Sequence, residues 1–356
     1  MRWTKKATAT SAAAALVALT VPAAWAASSV QPVLSDLDGP RGLGVGRHGA
    51  VVFSESDGSV SKLITRGPDA GDVRQLTSVA PGLAPAVDMN SRGRVFILTG
   101  GGEPGPGVAT LYRWYRGSGL KPMADIAAYQ QRHPDPYDLE DFPGDSNPFG
   151  VQAVKGGSAL VADAAGNEVL QVFRKGHIRS VAIVKPRIVR VPDALPDEGF
   201  PPAGTRIPSE SVITSVAVGD GYWYFGELRG FPATPGKSQV WRVKAGTKNA
   251  VCDPEHPYRG ACRRVADGFT SIVDLAVGPA GHIFVAELVK KSWLQWELEI
   301  APPIGGIFEM SANGRNVKEL GPGEFILPGG VEVGADGKIY AIGPIFGEGA
   351  LSRIRR

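Results

Sequence analysis

The chain has 356 residues and a formal charge of +3, with 38 Lys and Arg against 35 Asp and Glu. Arg2, Lys5 and Lys6 account for the whole excess, so from residue 27 onward the charges balance and no global field draws the protein to nucleic acid or anionic lipid. Past the first 26 residues no apolar run is long enough to span a bilayer as a helix, which excludes an integral membrane protein of that kind.

Residues 1–26 combine a basic start, an apolar stretch from Ala13 to Val21 and the small residues Ala24 and Ala26 around Trp25. That is the pattern of a secretory signal, cleaved after Ala26 or Ala27. The apolar stretch is shorter than the ~20 residues of a spanning helix. The expected mature product is secreted or otherwise extracytoplasmic, and residues 27–356 form one domain.

From there one unit recurs. Two short runs of alternating apolar residues flank a turn glycine, a pattern of two strands and a tight turn. The glycines are Gly49, Gly93, Gly157, Gly221, Gly281 and Gly337, at intervals of 44, 64, 64, 60 and 56 residues. Before them stand Leu43/Val45, Val87/Met89, Val151/Ala153, Val216/Val218, Leu275/Val277 and Val331/Val333. After them stand Val51/Phe53, Val95/Ile97, Ala159/Val161, Trp223/Phe225, Ile283/Val285 and Ile339/Ala341. Six copies of a strand unit, with 47 Gly and 29 Pro spread through the turns, predict an all-β fold: a six-bladed β-propeller. The sixth copy has only three strands, ending at Leu351-Ser352-Arg353-Ile354. Residues 31–35 supply the missing outer strand, so an N-terminal strand closes the last blade and leaves no long open edge.

With strands named A to D from the axis outward, the A–B and C–D turns fall on one face and are mostly tight. The long segments at 100–109, 127–149, 185–212, 228–238, 288–305 and 343–350 fall on the other, so a site is expected on that elaborated face. Only residues 244–261 break the rule. They contain Cys252 and end beside Cys262, and in an exported protein this close, even pair reads as a disulfide that pins the loop.

Several segments resemble the ScyD/ScyE family of exported propeller proteins. They are Asn147-Pro148-Phe149-Gly150-Val151, Val161-Ala162-Asp163-Ala164-Ala165-Gly166-Asn167, Thr214-Ser215-Val216-Ala217-Val218-Gly219, Gly226-Glu227-Leu228 with Gly230-Phe231-Pro232, and Ile272-Val273-Asp274-Leu275-Ala276-Val277-Gly278-Pro279. The resemblance covers nearly the whole mature chain and implies an exported propeller with no defined reaction. The chain departs from the family pattern at Thr99 and in the aromatic insertion 292–300.

Six residues after each turn glycine the copies carry Glu55, Thr99, Asp163, Glu227, Glu287 and Gly343. The four carboxylates Glu55, Asp163, Glu227 and Glu287 are the candidate metal ligands: gathered around an axis they would repel unless a cation relieved them, and hard oxygen donors suit Ca²⁺. The bland alternative has each acid accept hydrogen bonds from backbone N–H groups of its own B–C loop. Arg41, Asn147, Thr214, Ser215 and Asp274, near the start of strand A, are the candidate ligand-binding residues at the channel mouth. Trp293 and Trp296 form either a lid, a sticky patch or a packing element. The leading expectation is a monomeric binding scaffold whose partner is a small molecule or an envelope protein. The runner-up is a Ca²⁺-dependent hydrolase of lactonase or esterase type.

Overall fold

The computed structural model describes residues 28–46, 48–103 and 105–356. The secretory signal expected in residues 1–26 lies outside them. The chain opens with β1 (Val30–Asp38) and then builds blade 1 from β2 (Leu43–Val45), β3 (Val51–Ser54), β4 (Ser59–Leu63) and β5 (Val73–Ser78). Blade 2 is β6 (Ala86–Met89), β7 (Val95–Leu98), β8 (Thr110–Tyr115) and β9 (Gly119–Asp125), followed by the single-turn helix α1 (Ile126–Gln130). Blade 3 is β10 (Pro148–Val154), β11 (Ser158–Asp163), β12 (Glu168–Val172) and β13 (Ile178–Val184), after which β14 (Arg187–Arg190) and β15 (Arg206–Ser209) form a separate ribbon. Blade 4 is β16 (Ile213–Gly219), β17 (Tyr222–Glu227), β18 (Ser238–Lys244) and β20 (Arg263–Phe269), with β19 (Ala250–Cys252) lying elsewhere. Blade 5 is β21 (Ile272–Val277), β22 (Ile283–Glu287), β23 (Gly306–Met310) and β24 (Lys318–Leu320), with the short helix α2 (Trp293–Glu297) inserted after β22. Blade 6 is β25 (Gly330–Val333), β26 (Ile339–Gly343) and β27 (Glu348–Ile354), and its fourth strand is β1.

The closure expected from residues 31–35 is therefore present and longer than anticipated. β1 runs antiparallel to β27 in the register Val30↔Ile354, Gln31↔Arg353, Leu34↔Leu351 and Leu37↔Gly349. All six turn glycines sit at positive φ, between 73° and 80°, a conformation that a side chain would strain. The repeat was readable because each hairpin needs that residue at that place.

The B strands show why the blades hold together. Side chains along a strand alternate between its faces, and here each face meets a neighbouring blade. Val51 and Phe53 pack toward blade 6 while Val52 packs toward blade 2. Val95 and Ile97 face blade 1, Phe96 and Leu98 face blade 3. The same split recurs for Trp223 and Phe225 against Tyr224, and for Ile283 and Val285 against Phe284 and Ala286. The core is thus six apolar layers, one per blade interface, instead of one central mass.

Two elements were not expected. The β14–β15 ribbon stands within the 185–212 insertion. The disulfide loop sends β19 across to the outer edge of blade 3, where it pairs parallel with β13 (Ala182↔Ala250, Val184↔Cys252). Cys252 and Cys262 are bonded as expected. The bond does more than pin a loop, since it ties a strand on blade 3 to the residue just before the outer strand of blade 4.

Leu37 is buried with Leu43, Phe53, Tyr340 and Leu351 in the layer between blades 6 and 1. Leu37→Ala should lower unfolding free energy by about 2–4 kcal/mol, measured from the denaturant midpoint at constant slope. An effect below about 0.5 kcal/mol, the range of surface changes, would mean that β1 does not close the ring in solution.

Candidate functional site

The inner strands β2, β6, β10, β16, β21 and β25 contact one another in a ring around the axis. On the elaborated face the channel is nearly filled. Arg41, which is 5% exposed, donates from one nitrogen to the Ala84 carbonyl at 2.7 Å and from another to the Phe149 carbonyl, and its guanidinium lies 3.8 Å over the Phe149 ring. One side chain from the entry to blade 1 thereby links blades 2 and 3 across the mouth. Burial lowers its pKa to about 10, against the pull of Asp274, so it stays a cation at neutral pH. The cavity that remains beside Arg41, Phe149, Asp274 and Glu332 is about 30 Å³, room for a water or two.

Asp274 lines this cavity and accepts from Val331 N at 2.9 Å. Burial raises its pKa to about 7, with Arg41 opposing and Asp88 reinforcing the shift. The other candidate mouth residues serve the framework. Asn147 Oδ1 accepts from Gly101 N at 3.0 Å, and the Thr214 hydroxyl donates to the Ile272 carbonyl at 2.6 Å. The Ser215 hydroxyl is buried with no partner among the described residues.

Nor do the four strand-end acids gather. Among the described residues no group of three or more His, Cys, Asp or Glu side chains is arranged to hold a metal ion, and none of the four lines the axial cavity. Each is engaged locally, Asp163, Glu227 and Glu287 at the entry to their own blades and Glu55 with the end of β1, the outer strand of blade 6. Glu55 accepts from Asp38 N at 3.0 Å, Asp163 from Asn147 N at 2.8 Å and Glu287 from Thr270 N at 2.5 Å. The donor stands 17, 16 and 17 residues upstream, on the segment that enters strand A. The acid at the end of strand B therefore fastens the entry to strand A, whereas the donors had been expected in the B–C loop. Asp163 alone also takes a backbone N–H from its B–C loop, Gly166 N at 3.4 Å, together with the side chains of Ser146 and Gln130. Blade 4 uses a variant: Arg229 bonds Glu227 and donates to the carbonyls of Ser209 and Glu210, both atoms of the corresponding entry segment. Turned with its nitrogen toward Glu227, the Gln239 amide donates to it at 3.2 Å. These acids do not fit a shared Ca²⁺ site, because their oxygens already serve separate blades.

Trp293 and Trp296 likewise pack. The Trp293 indole N–H donates to the Arg229 carbonyl at 2.9 Å, and Trp296 stacks on Phe346 at 6.0 Å between ring centres.

The roomier end of the axis is on the plain face, contrary to expectation. There a cavity of about 520 Å³ is bounded by the A–B turns of blades 2 and 3, with Arg92, Arg94 and Lys155 at its rim and Asp88, Gln152 and Glu332 on its wall. Asp88 accepts from Gln152 Nε2 and Ala153 N, each at 2.6 Å, joining blades 2 and 3. Glu332 borders both this cavity and the small one beyond it. Burial, then the negative neighbours Asp88 and Asp274, raise its pKa well above the carboxylate range. Sequence reasoning passed these residues over, although a signal existed: between the two apolar residues of each A strand stand Gly44, Asp88, Gln152, Ala217, Ala276 and Glu332. Three of the six are polar where strand packing calls for a small or apolar residue.

The blade staples should be visible in the pH dependence of stability. Glu287 is pushed up from 4.5 to about 8, chiefly by burial. The folded state then holds a proton that the unfolded state releases, so this contribution is complete below about pH 4.5 and is lost as pH rises through about 8. Glu287→Gln should remove up to about 5 kcal/mol of the fall in unfolding free energy across that window. A slope equal to that of the unmodified protein would show that Glu287 ionises freely in the folded state.

No family model and no curated protein matches the chain. Among solved structures it is similar to a gluconolactonase from Xanthomonas campestris, with a TM-score of 0.55 and 10% identity over 92% of this chain and 89% of that one. A calcium-binding regucalcin from Agrobacterium tumefaciens aligns with a TM-score of 0.52 and 12% identity over 93% and 95%. A glucose dehydrogenase-like protein from Thermus thermophilus, described as a putative oxidoreductase, gives 0.54 and 13% over 92% and 99%. At these identities the likeness is one of fold: the chain is a β-propeller.

Proposed function

We propose that this protein is an exported binding propeller, kin to the ScyD/ScyE proteins it resembles in sequence, and that it takes a small polar ligand in the axial funnel of its plain face. The observation that carries this reading is the contrast between the two ends of the channel. One is plugged by Arg41 and Phe149. The other opens as a cavity of about 520 Å³ with carboxylate, amide and cationic groups converging on it, within the ~300–1,000 Å³ usual for small-molecule sites. A rim of Arg92, Arg94 and Lys155 over a wall of Asp88, Gln152 and Glu332 suits a ligand with hydroxyl and amide groups. The runner-up, a Ca²⁺-dependent lactonase, has fold-level likeness in its favour, but the acids it was to use are engaged in separate local hydrogen bonds.

Two measurements decide between the readings. A thermal-shift screen of sugars, polyols and amino acids should yield compounds that stabilise the unmodified protein by RT ln(1 + [L]/Kd) and lose the effect in Gln152→Trp, which fills the funnel. Compounds that stabilise both proteins equally would remove the funnel from consideration. Calcium at millimolar concentration should leave the melting temperature unchanged. A calcium-dependent rise abolished by Glu227→Gln with Glu287→Gln, together with hydrolysis of gluconolactone, would establish the lactonase instead.

A further inference from the structure

The segment 244–261 is the one long connection on the plain face, and the axial funnel makes no use of it. It forms part of a second cavity, of about 440 Å³, on the outer side of blade 4. Tyr222, Arg242, Lys244 and Thr247 line one part, and Gly260, Ala261 and Arg263 line the other. Ala261 and Arg263 flank Cys262, so the disulfide to Cys252 fixes this wall against the edge of blade 3.

The charges here are one-sided. No Asp or Glu lines the cavity. Among the described residues Arg242, Lys244 and Arg263 form no ion pair, and Asp253 and Asp267 are already paired, the first with Lys185 and the second with Arg187 and Arg264. Arg242 and Arg263 stand directly opposite each other on β18 and β20, an arrangement of like charges that destabilises a strand pair. In a chain whose charges otherwise balance, three cations converging on a walled cavity are a local excess that an anion would relieve. The Arg242 guanidinium lies 4.6 Å from the centre of the Tyr222 ring, which holds it by a cation–π contact and leaves an aromatic wall beside the cations.

We infer that the cleft between Tyr222, Arg242, Lys244 and Arg263 is a binding site for a small oxyanion carried on a ring, the chemistry of a phosphorylated or uronic sugar. The two arginines present planar forks suited to a phosphate or carboxylate, Lys244 adds a point charge, and Tyr222 offers a face to the ring. The volume matches a small-molecule site. No extended basic stripe of the kind that tracks a nucleic-acid backbone is needed.

The test is calorimetric titration of the full chain with glucose 6-phosphate, glucuronate, inorganic phosphate and glucose, at an ionic strength held constant with sodium chloride. Glucose 6-phosphate or glucuronate should bind with a Kd of about 1 mM or tighter, and which of the two binds more tightly identifies the oxyanion. Glucose should show no binding that is lost in Arg242→Gln with Arg263→Gln. Arg242→Gln with Arg263→Gln should weaken binding by about tenfold or more, and Tyr222→Ala should reduce affinity for the sugar anion to that for inorganic phosphate. Because Arg242 is half-buried, the exposed single variant Arg263→Gln provides the same readout without risk to the fold, with a smaller loss. Binding of no anion by the folded protein, or binding unchanged in Arg263→Gln and in the double variant, would overturn the inference. Equal affinity for inorganic phosphate and glucose 6-phosphate would overturn the part assigned to Tyr222. These outcomes are independent of the axial funnel, which shares no residue with this cleft.

Discussion

The fold depends on packing between blades. A four-stranded sheet buried on both faces cannot stand alone, because each face needs a neighbour and the neighbour needs another. Only a closed ring satisfies all six, and β1 against β27 is the pairing that completes it. The near-continuous apolar B strands follow from this constraint: a residue such as Phe96 and its neighbour Ile97 face different partners and both must be apolar. The strand-end acids inside are held by specific donors, as expected where an unpaired buried group is costly.

Much of this was legible in the sequence. The six turn glycines marked the hairpins, the alternating pairs marked the strands, and the three-strand sixth unit pointed to a borrowed fourth. Cys252 and Cys262 were readable as a bonded pair. The crossing of β19 to blade 3 was not, because three residues pairing in parallel with a distant strand leave no periodic trace.

The site was less legible, for a physical reason. Equal register places Glu55, Asp163, Glu227 and Glu287 at equivalent positions in their blades, but equivalence says nothing about which way a side chain turns. Each found a backbone donor 16 or 17 residues upstream, or Arg229, at much shorter reach than the axis. Asp88, Gln152 and Glu332 escaped notice because a single polar residue between two apolar ones is also what any half-buried strand shows. Only the ring geometry reveals that these three residues border the channel.

The adjacency of β1 and β27 has a consequence for how the molecule is made. Ser29 and Arg355 are joined by a hydrogen bond from Arg355 N to the Ser29 carbonyl at 2.7 Å, so residues separated by almost the entire sequence become neighbours. During synthesis β1 emerges early, while its partner emerges more than 300 residues later. For that interval it remains an unpaired edge, open to strand addition by another nascent chain. Its sequence carries Pro32 and the acids Asp36 and Asp38, residues that discourage such pairing. The strand that completes the ring is thus also equipped to wait for it.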